Sequence, residues 1–167
     1  GLLLGGILLF CSQTFAQKLL RLVVFEEQVT GCWTCDPGLF GSDNDHRMSW
    51  EGGNIDNNCH SFGNNNNPPL TNTDSYTIYD ETFDCQTDWP AGNLNFTWFV
   101  DEADGACGCA FGSLTCSDNS ANQSFGFPGS GATGNINLAQ QTLGGAGGCA
   151  CVTYFYRARW VITGNFQ

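Results

Sequence analysis

Two loop segments carry closely spaced oxygen-bearing side chains that could bind a hard cation. The first is Asp43-Asn44-Asp45, and the second spans residues 54–58 and contains Asp56. Calcium in proteins takes several oxygen ligands from carboxylates, amides and waters. Asp43, Asp45 and Asp56 are therefore candidate calcium ligands. Neither segment has the glycine and closing glutamate of an EF-hand loop, and Asx turns account for the same residues without a metal.

Two tryptophans in turn-rich segments are candidate ligand-binding residues. Trp33 lies in the segment 31–38, and Trp89 directly precedes Pro90. Flat aromatic rings line many ligand sites, and Asn or Asp side chains beside them could orient the hydroxyls of a sugar. The alternative is structural, with both rings covering disulfides or closing the ends of the fold.

The residues that could act as acids, bases or nucleophiles form no recognisable catalytic motif. The chain has two histidines and no Gly-x-Ser-x-Gly nucleophile elbow. Glu51, Glu81 and Glu102 lie near the ends of predicted strands, but nothing selects two of them as the carboxylate pair of a glycosidase. We expect a non-catalytic protein, with an accessory domain of a secreted hydrolase as the enzymatic alternative.

The cysteines predict an oxidising compartment. Nine of the ten follow residue 16, which is dense enough for a disulfide framework. The candidates are Cys32, Cys35, Cys59, Cys85, Cys107, Cys109, Cys116, Cys149 and Cys151. A zinc site built from two close thiolate pairs is the less favoured alternative. Nine is an odd number, and the spacing does not define the connectivity.

Residues 1–16 indicate export. They carry no charge and consist of an apolar run of about ten residues followed by Thr14-Phe15-Ala16, as in a secretory signal peptide whose start is missing. The run is too short to span a bilayer as a helix. We therefore predict a signal peptide at 1–16, a single domain at 17–167, a secreted or cell-surface location and no membrane span in the mature chain.

The net charge disfavours one class of partner. The chain has sixteen acidic and five basic residues, which gives a formal net charge of −11. Such a surface repels phosphate backbones, so we expect no nucleic-acid binding. It suits solubility, cation binding or a basic partner.

The element that dominates the predicted fold is the segment Cys151–Thr163, in which apolar and polar residues alternate for a dozen positions. Its apolar set includes Tyr156 and Trp160, whereas both arginines fall on the other side. A period of two predicts a strand with one face in a core. Asn93–Glu102 shows the same pattern, with Trp98 on its apolar side.

The rest of the chain predicts shorter strands between long loops rich in Asn and Gly. The further predicted strands are Leu19–Glu27, His46–Glu51, Tyr76–Phe83 and Asn135–Gln140, whereas Asn54–Thr73 and Cys107–Gly134 are predicted to be loops. Six or seven strands without an amphipathic helix indicate an all-β protein, an antiparallel β-sandwich of the jelly-roll or Ig-like class stapled by disulfides.

Three functional hypotheses follow from these features. The leading one is a secreted, non-catalytic module for adhesion or surface structure, whose partner is a surface glycan or another extracellular protein. The second is a lectin-like module that binds carbohydrate with the help of Ca²⁺. The third is the accessory domain of a hydrolase.

Overall fold

The computed structural model describes residues 17–31, 46–61, 70–72, 75–102, 119–145 and 152–166. Its strands are β1 (Lys18–Thr30), β2 (His46–Glu51), β3 (Asn58–Ser61), β4 (Leu70–Asn72), β5 (Tyr76–Phe83), β6 (Asn93–Glu102), β7 (Asn119–Gly126), β8 (Gly134–Asn137), β9 (Gln141–Gly144) and β10 (Thr153–Thr163). One 3-10 turn lies at Gln86–Asp88. The predicted all-β class is therefore confirmed. In these ranges no helix has the length and apolar character that crossing a membrane requires.

The strands form two antiparallel sheets. In the six-stranded sheet, β1 and β10 pair along their length at the centre. β5 and β4 pair with successive parts of the outer side of β1, and β8 and β9 do the same for β10. The other sheet has four strands in the order β3-β2-β6-β7. Both sheets are thus about four strands wide and contribute to one hydrophobic core.

The inner faces of the sheets are built by the alternation that the sequence predicts. In β10 the even-numbered residues from Tyr154 to Ile162 are at most 2% exposed, whereas Arg157 on the other face is exposed. In β6, Trp98 and Val100 are fully buried and Leu94 and Phe96 nearly so. Burying a large apolar side chain contributes about 1.5–3 kcal/mol, so these faces hold the sheets together.

Tyr156 lies at the meeting point of the two sheets. Its ring centroid is 4.6 Å from that of Trp98 and 5.6 Å from that of Trp50, both in edge-to-face geometry. Trp50 and Trp98 are themselves directly opposite each other in the β2–β6 pair. The Tyr156 hydroxyl donates a hydrogen bond of 3.1 Å to Oε1 of Gln123 on β7. One β10 side chain therefore contacts three strands of the four-stranded sheet.

The second contact between the sheets is made by Trp160, four residues further along β10 on the same face. Trp160 donates its indole N–H to the carbonyl oxygen of Gly126 at 3.1 Å. Its ring packs against Tyr79 and Phe127, with centroids 6.0 Å and 5.5 Å away.

Burial raises the pKa of Tyr79 to about 12, and the Glu81 carboxylate adds to the rise. Burial also raises the pKa of Tyr156, which the Trp50 indole opposes in part.

The structure corrects the loop assignments. β3 and β4 lie inside Asn54–Thr73, and β7 lies inside Cys107–Gly134, although both segments were expected to be loops. The predicted strand Asn135–Gln140 is confirmed in its first half as β8, and β9 follows after a break. These strands have few apolar residues because they are short or lie at sheet edges, so alternation of hydrophobicity does not reveal them.

The Tyr156 contact generates a first prediction. Tyr156→Phe keeps the ring but removes the donor to Gln123, so we expect the free energy of unfolding in urea to fall by about 1 kcal/mol. In a double-mutant cycle with Gln123→Leu, the two changes should couple by at least about 0.5 kcal/mol. Fully additive effects would show that the hydroxyl and the amide do not interact.

Candidate functional site

An open groove of about 410 Å³ lies on the face of the four-stranded sheet that points away from the core. Its polar side chains are Glu51, Asn95, Thr97, Asn122 and Ser124, and Gly52 and Gly53 complete the lining. The backbone positions of the buried Phe96 and Gln123 also border it. This volume is within the range of about 300–1,000 Å³ that is usual for small-ligand sites.

Strand register brings these side chains together from three strands. Thr97 of β6 is opposite Glu51 of β2 on one side and Asn122 of β7 on the other. Asn95 is opposite Ser124. Because side chains two residues apart on a strand share a face, all five project from the side of the sheet opposite to Phe96 and Trp98. The same alternation that fills the core therefore assembles the groove.

The groove side chains form a partly satisfied hydrogen-bonding surface. Thr97 donates its hydroxyl to Oδ1 of Asn122 at 3.3 Å. Asn93 donates Nδ2 to the Ser124 hydroxyl oxygen at 2.8 Å. In the part of the chain that the structure describes, neither Nδ2 of Asn122 nor the side-chain amide of Asn95 has a partner. These groups, with the Ser124 hydroxyl proton, can donate to a ligand.

A two-glycine turn closes one end of the groove. Gly52 and Gly53 have φ values of 92° and 61°, which favour glycine. A Cβ on Gly53 would overlap the carbonyl oxygen of Asn95, so only glycine lets the turn lie directly against β6. The side chain of Asn57 accepts a hydrogen bond of 3.1 Å from the N–H of Gly52. This bond is local turn chemistry of the kind that Asx residues provide.

The groove can recognise a polar ligand by hydrogen bonds, with amides and hydroxyls as donors and the Glu51 carboxylate as an acceptor. Similarity offers no identification. The chain matches no protein-family model, and no curated protein matches it significantly. The interpretation of the groove therefore depends on its geometry and chemistry.

Of the three predicted calcium ligands, the structure describes only Asp56. Asp43 and Asp45 lie outside the described residues. Asp56 is exposed. Its backbone N–H donates a hydrogen bond of 2.7 Å to the carbonyl oxygen of Ile78, and this bond links the turn after β2 to the other sheet. In the part of the chain that is described, no group of three His, Cys, Asp or Glu residues could hold a metal ion. Calcium binding by these residues stays a prediction.

Of the two tryptophans predicted to bind a ligand, only Trp89 can be located, since Trp33 lies outside the described residues. Trp89 follows the 3-10 turn, as expected for a turn residue, but its ring is only 8% exposed. The rings of Phe83 and Phe166 pack against it with centroids 5.2 Å and 5.6 Å away. This packing favours the structural alternative for Trp89, because a sugar needs an open aromatic face, and ligand binding by Trp89 stays a prediction.

Lys18 explains why Trp89 is held so firmly. Lys18 is 2% exposed, and its ammonium lies 5.0 Å from the ring centroid of Trp89 and 5.3 Å from that of Phe166. It donates a hydrogen bond of 2.6 Å to the carbonyl oxygen of Ser130. The Trp89 indole N–H donates a hydrogen bond of the same length to the carbonyl oxygen of Pro128. The two cation–π contacts and the two hydrogen bonds together stabilise the packing of Trp89 at this end of the fold.

The remaining predicted residues are distributed as follows. Glu51 lies on β2 and Glu81 on β5, which belong to different sheets, and the Glu102 side chain lies outside the described part. Cys85, directly before the 3-10 turn, is not a free thiol. The side chain of Cys59 and all of the other candidate cysteines lie outside the described residues, as does the predicted signal peptide.

The structural role of Trp89 predicts a loss of stability without a loss of binding. Trp89→Ala removes a buried ring and exposes the Lys18 ammonium, so the free energy of unfolding in urea should fall by about 3–5 kcal/mol. Trp89→Phe should cost less because it keeps part of the aromatic packing. If Trp89→Ala left stability unchanged but abolished ligand binding at a temperature where the protein is folded, the earlier ligand-binding hypothesis would be correct.

Proposed function

We propose that this protein is a secreted, non-catalytic adhesion module that attaches to a surface partner through the groove of the four-stranded sheet. The observation that supports this proposal most directly is the set of five polar side chains from three strands around one open groove. Each belongs to a paired strand, so the sheet defines the backbone positions from which the donors and acceptors project. A surface prepared in this way binds with a small loss of conformational entropy.

The proposal includes the finer description of the fold. Two antiparallel sheets that share one core are compatible with a β-sandwich of the jelly-roll or Ig-like class. We propose that the nine cysteines after residue 16 form a disulfide framework, which Cys85 supports because it is not a free thiol. Such bridges typically stabilise secreted domains by about 2–5 kcal/mol each.

The disulfide framework predicts a low thiol count. The secreted chain, unfolded in guanidinium without reductant, should contain about one reactive thiol among its nine cysteines, because an odd number leaves one without a partner. Absorbance after reaction with a thiol reagent measures this number, and the reduced protein provides the value for complete exposure. A count near nine would contradict both the framework and the secreted location.

The adhesion proposal predicts retention on surfaces. Beads coated with the folded protein should be held under flow on arrays of immobilised glycans or extracellular-matrix proteins, whereas beads coated with reduced and alkylated protein should be washed away. Including calcium in one arm and a chelator in the other tests whether Ca²⁺ assists. The absence of retention on both arrays under both conditions would contradict an adhesive role.

A further inference from the structure

We infer that the groove between Glu51 and Ser124 binds a neutral oligosaccharide, with Asn95 and Asn122 as the residues that recognise its hydroxyl groups. This inference rests on the proposed adhesive function and names the class of partner for the same site. It differs from the expectation based on tryptophans, because Trp89 is not among the described residues that line the groove.

The hydrogen-bond donors and acceptors of the groove are complementary to the hydroxyl groups on adjacent carbons of a sugar. In the groove, Asn122 is oriented by Thr97, whose hydroxyl occupies its Oδ1, so that the two N–H groups of Nδ2 are directed to other acceptors. Ser124 is oriented likewise by Asn93 and keeps its own proton to donate. The Glu51 carboxylate accepts, as its 3.5 Å contact with the Ser49 hydroxyl shows. A vicinal diol both donates and accepts, and it can therefore pair with adjacent amide and carboxylate groups.

The charge of the groove selects against anionic ligands. Among the described residues that line the groove, Glu51 is the charged one, and the chain as a whole carries a formal charge of −11. A sulfated or uronic acid polymer, or a phosphate-bearing ligand, would approach a chain of negative net charge and would find no cationic side chain among the described lining residues. A neutral sugar avoids this repulsion and still satisfies the donors.

An aromatic residue lies beside the groove on the same face. Phe99 is two residues beyond Thr97 on β6, directly opposite Ser120 of β7, and it is half-buried. Two residues along a strand span roughly 7 Å, so Phe99 is within reach of a sugar ring next to one held by Asn122. Apolar and aromatic surface beside a few oriented polar groups is the usual composition of ligand sites.

The test is calorimetric titration of the full secreted chain with neutral hexasaccharides: cellohexaose, xylohexaose, mannohexaose and laminarihexaose. We expect at least one to bind, and hexagalacturonate, the anionic probe, to bind at least about tenfold more weakly. Asn122→Ala should weaken binding about fivefold and the double variant Asn95→Ala/Asn122→Ala about 25-fold, since each loses hydrogen bonds of ordinary strength.

Asn137→Ala provides the matched control, because Asn137 is an exposed asparagine on β8 of the other sheet. It should leave binding unchanged. Circular dichroism and the melting temperature establish that each variant folds, and Ser124→Ala replaces any that does not. Binding that is unaffected by both the double variant and Ser124→Ala, or the absence of binding to all four neutral sugars, would overturn the inference. If beads are nevertheless retained on matrix proteins, the adhesive function stands and only the ligand class is wrong.

Discussion

The contact of Tyr156 with the Trp50–Trp98 pair is the interaction on which the arrangement of the two sheets depends. Tyr156 is fully buried, its ring meets both indoles edge to face, and its hydroxyl reaches Gln123 on the next strand. Aromatic pairs of this geometry add to the large area that each ring removes from water. Because the hydrogen bond also has a direction, it defines how β10 lies across the four-stranded sheet.

The position of the groove is a consequence of this packing. Because the side chains of Phe96 and Trp98 point into the core, those of Asn95 and Thr97, which alternate with them along β6, must point outwards. The same holds for β7, where Phe125 and Gln123 face inwards and Asn122 and Ser124 outwards. The core and the groove are thus opposite faces of the same strands, and a substitution that shifts the register would damage both. The buried end formed by Lys18 and Trp89 lies at the ends of β1 and β5, apart from this surface.

The sequence predicts β10 and β6, because apolar residues recur at every second position over most of their length. It does not predict β7, whose residues Asn119–Gly126 include a single large apolar side chain, Phe125. The groove could not be predicted either, because it depends on which residues of β2, β6 and β7 lie opposite one another. A signal was nevertheless present: the outward set of β6 begins Asn93, Asn95 and Thr97, three side chains that are all capable of forming hydrogen bonds. The burial of Trp89 could not be predicted either, because a position in a turn does not reveal whether the ring is buried.

The register of β6 against β7 is the central claim, and backbone nuclear Overhauser effects measure it most directly. The structure predicts cross-strand contacts between Thr97 and Asn122 and between Asn95 and Ser124. A slip of one residue would instead place Phe96 opposite Asn122 and turn Phe96 or Asn122 to the wrong face. Contacts of that kind would contradict the account, because neither the core around Tyr156 nor the groove could then exist as described.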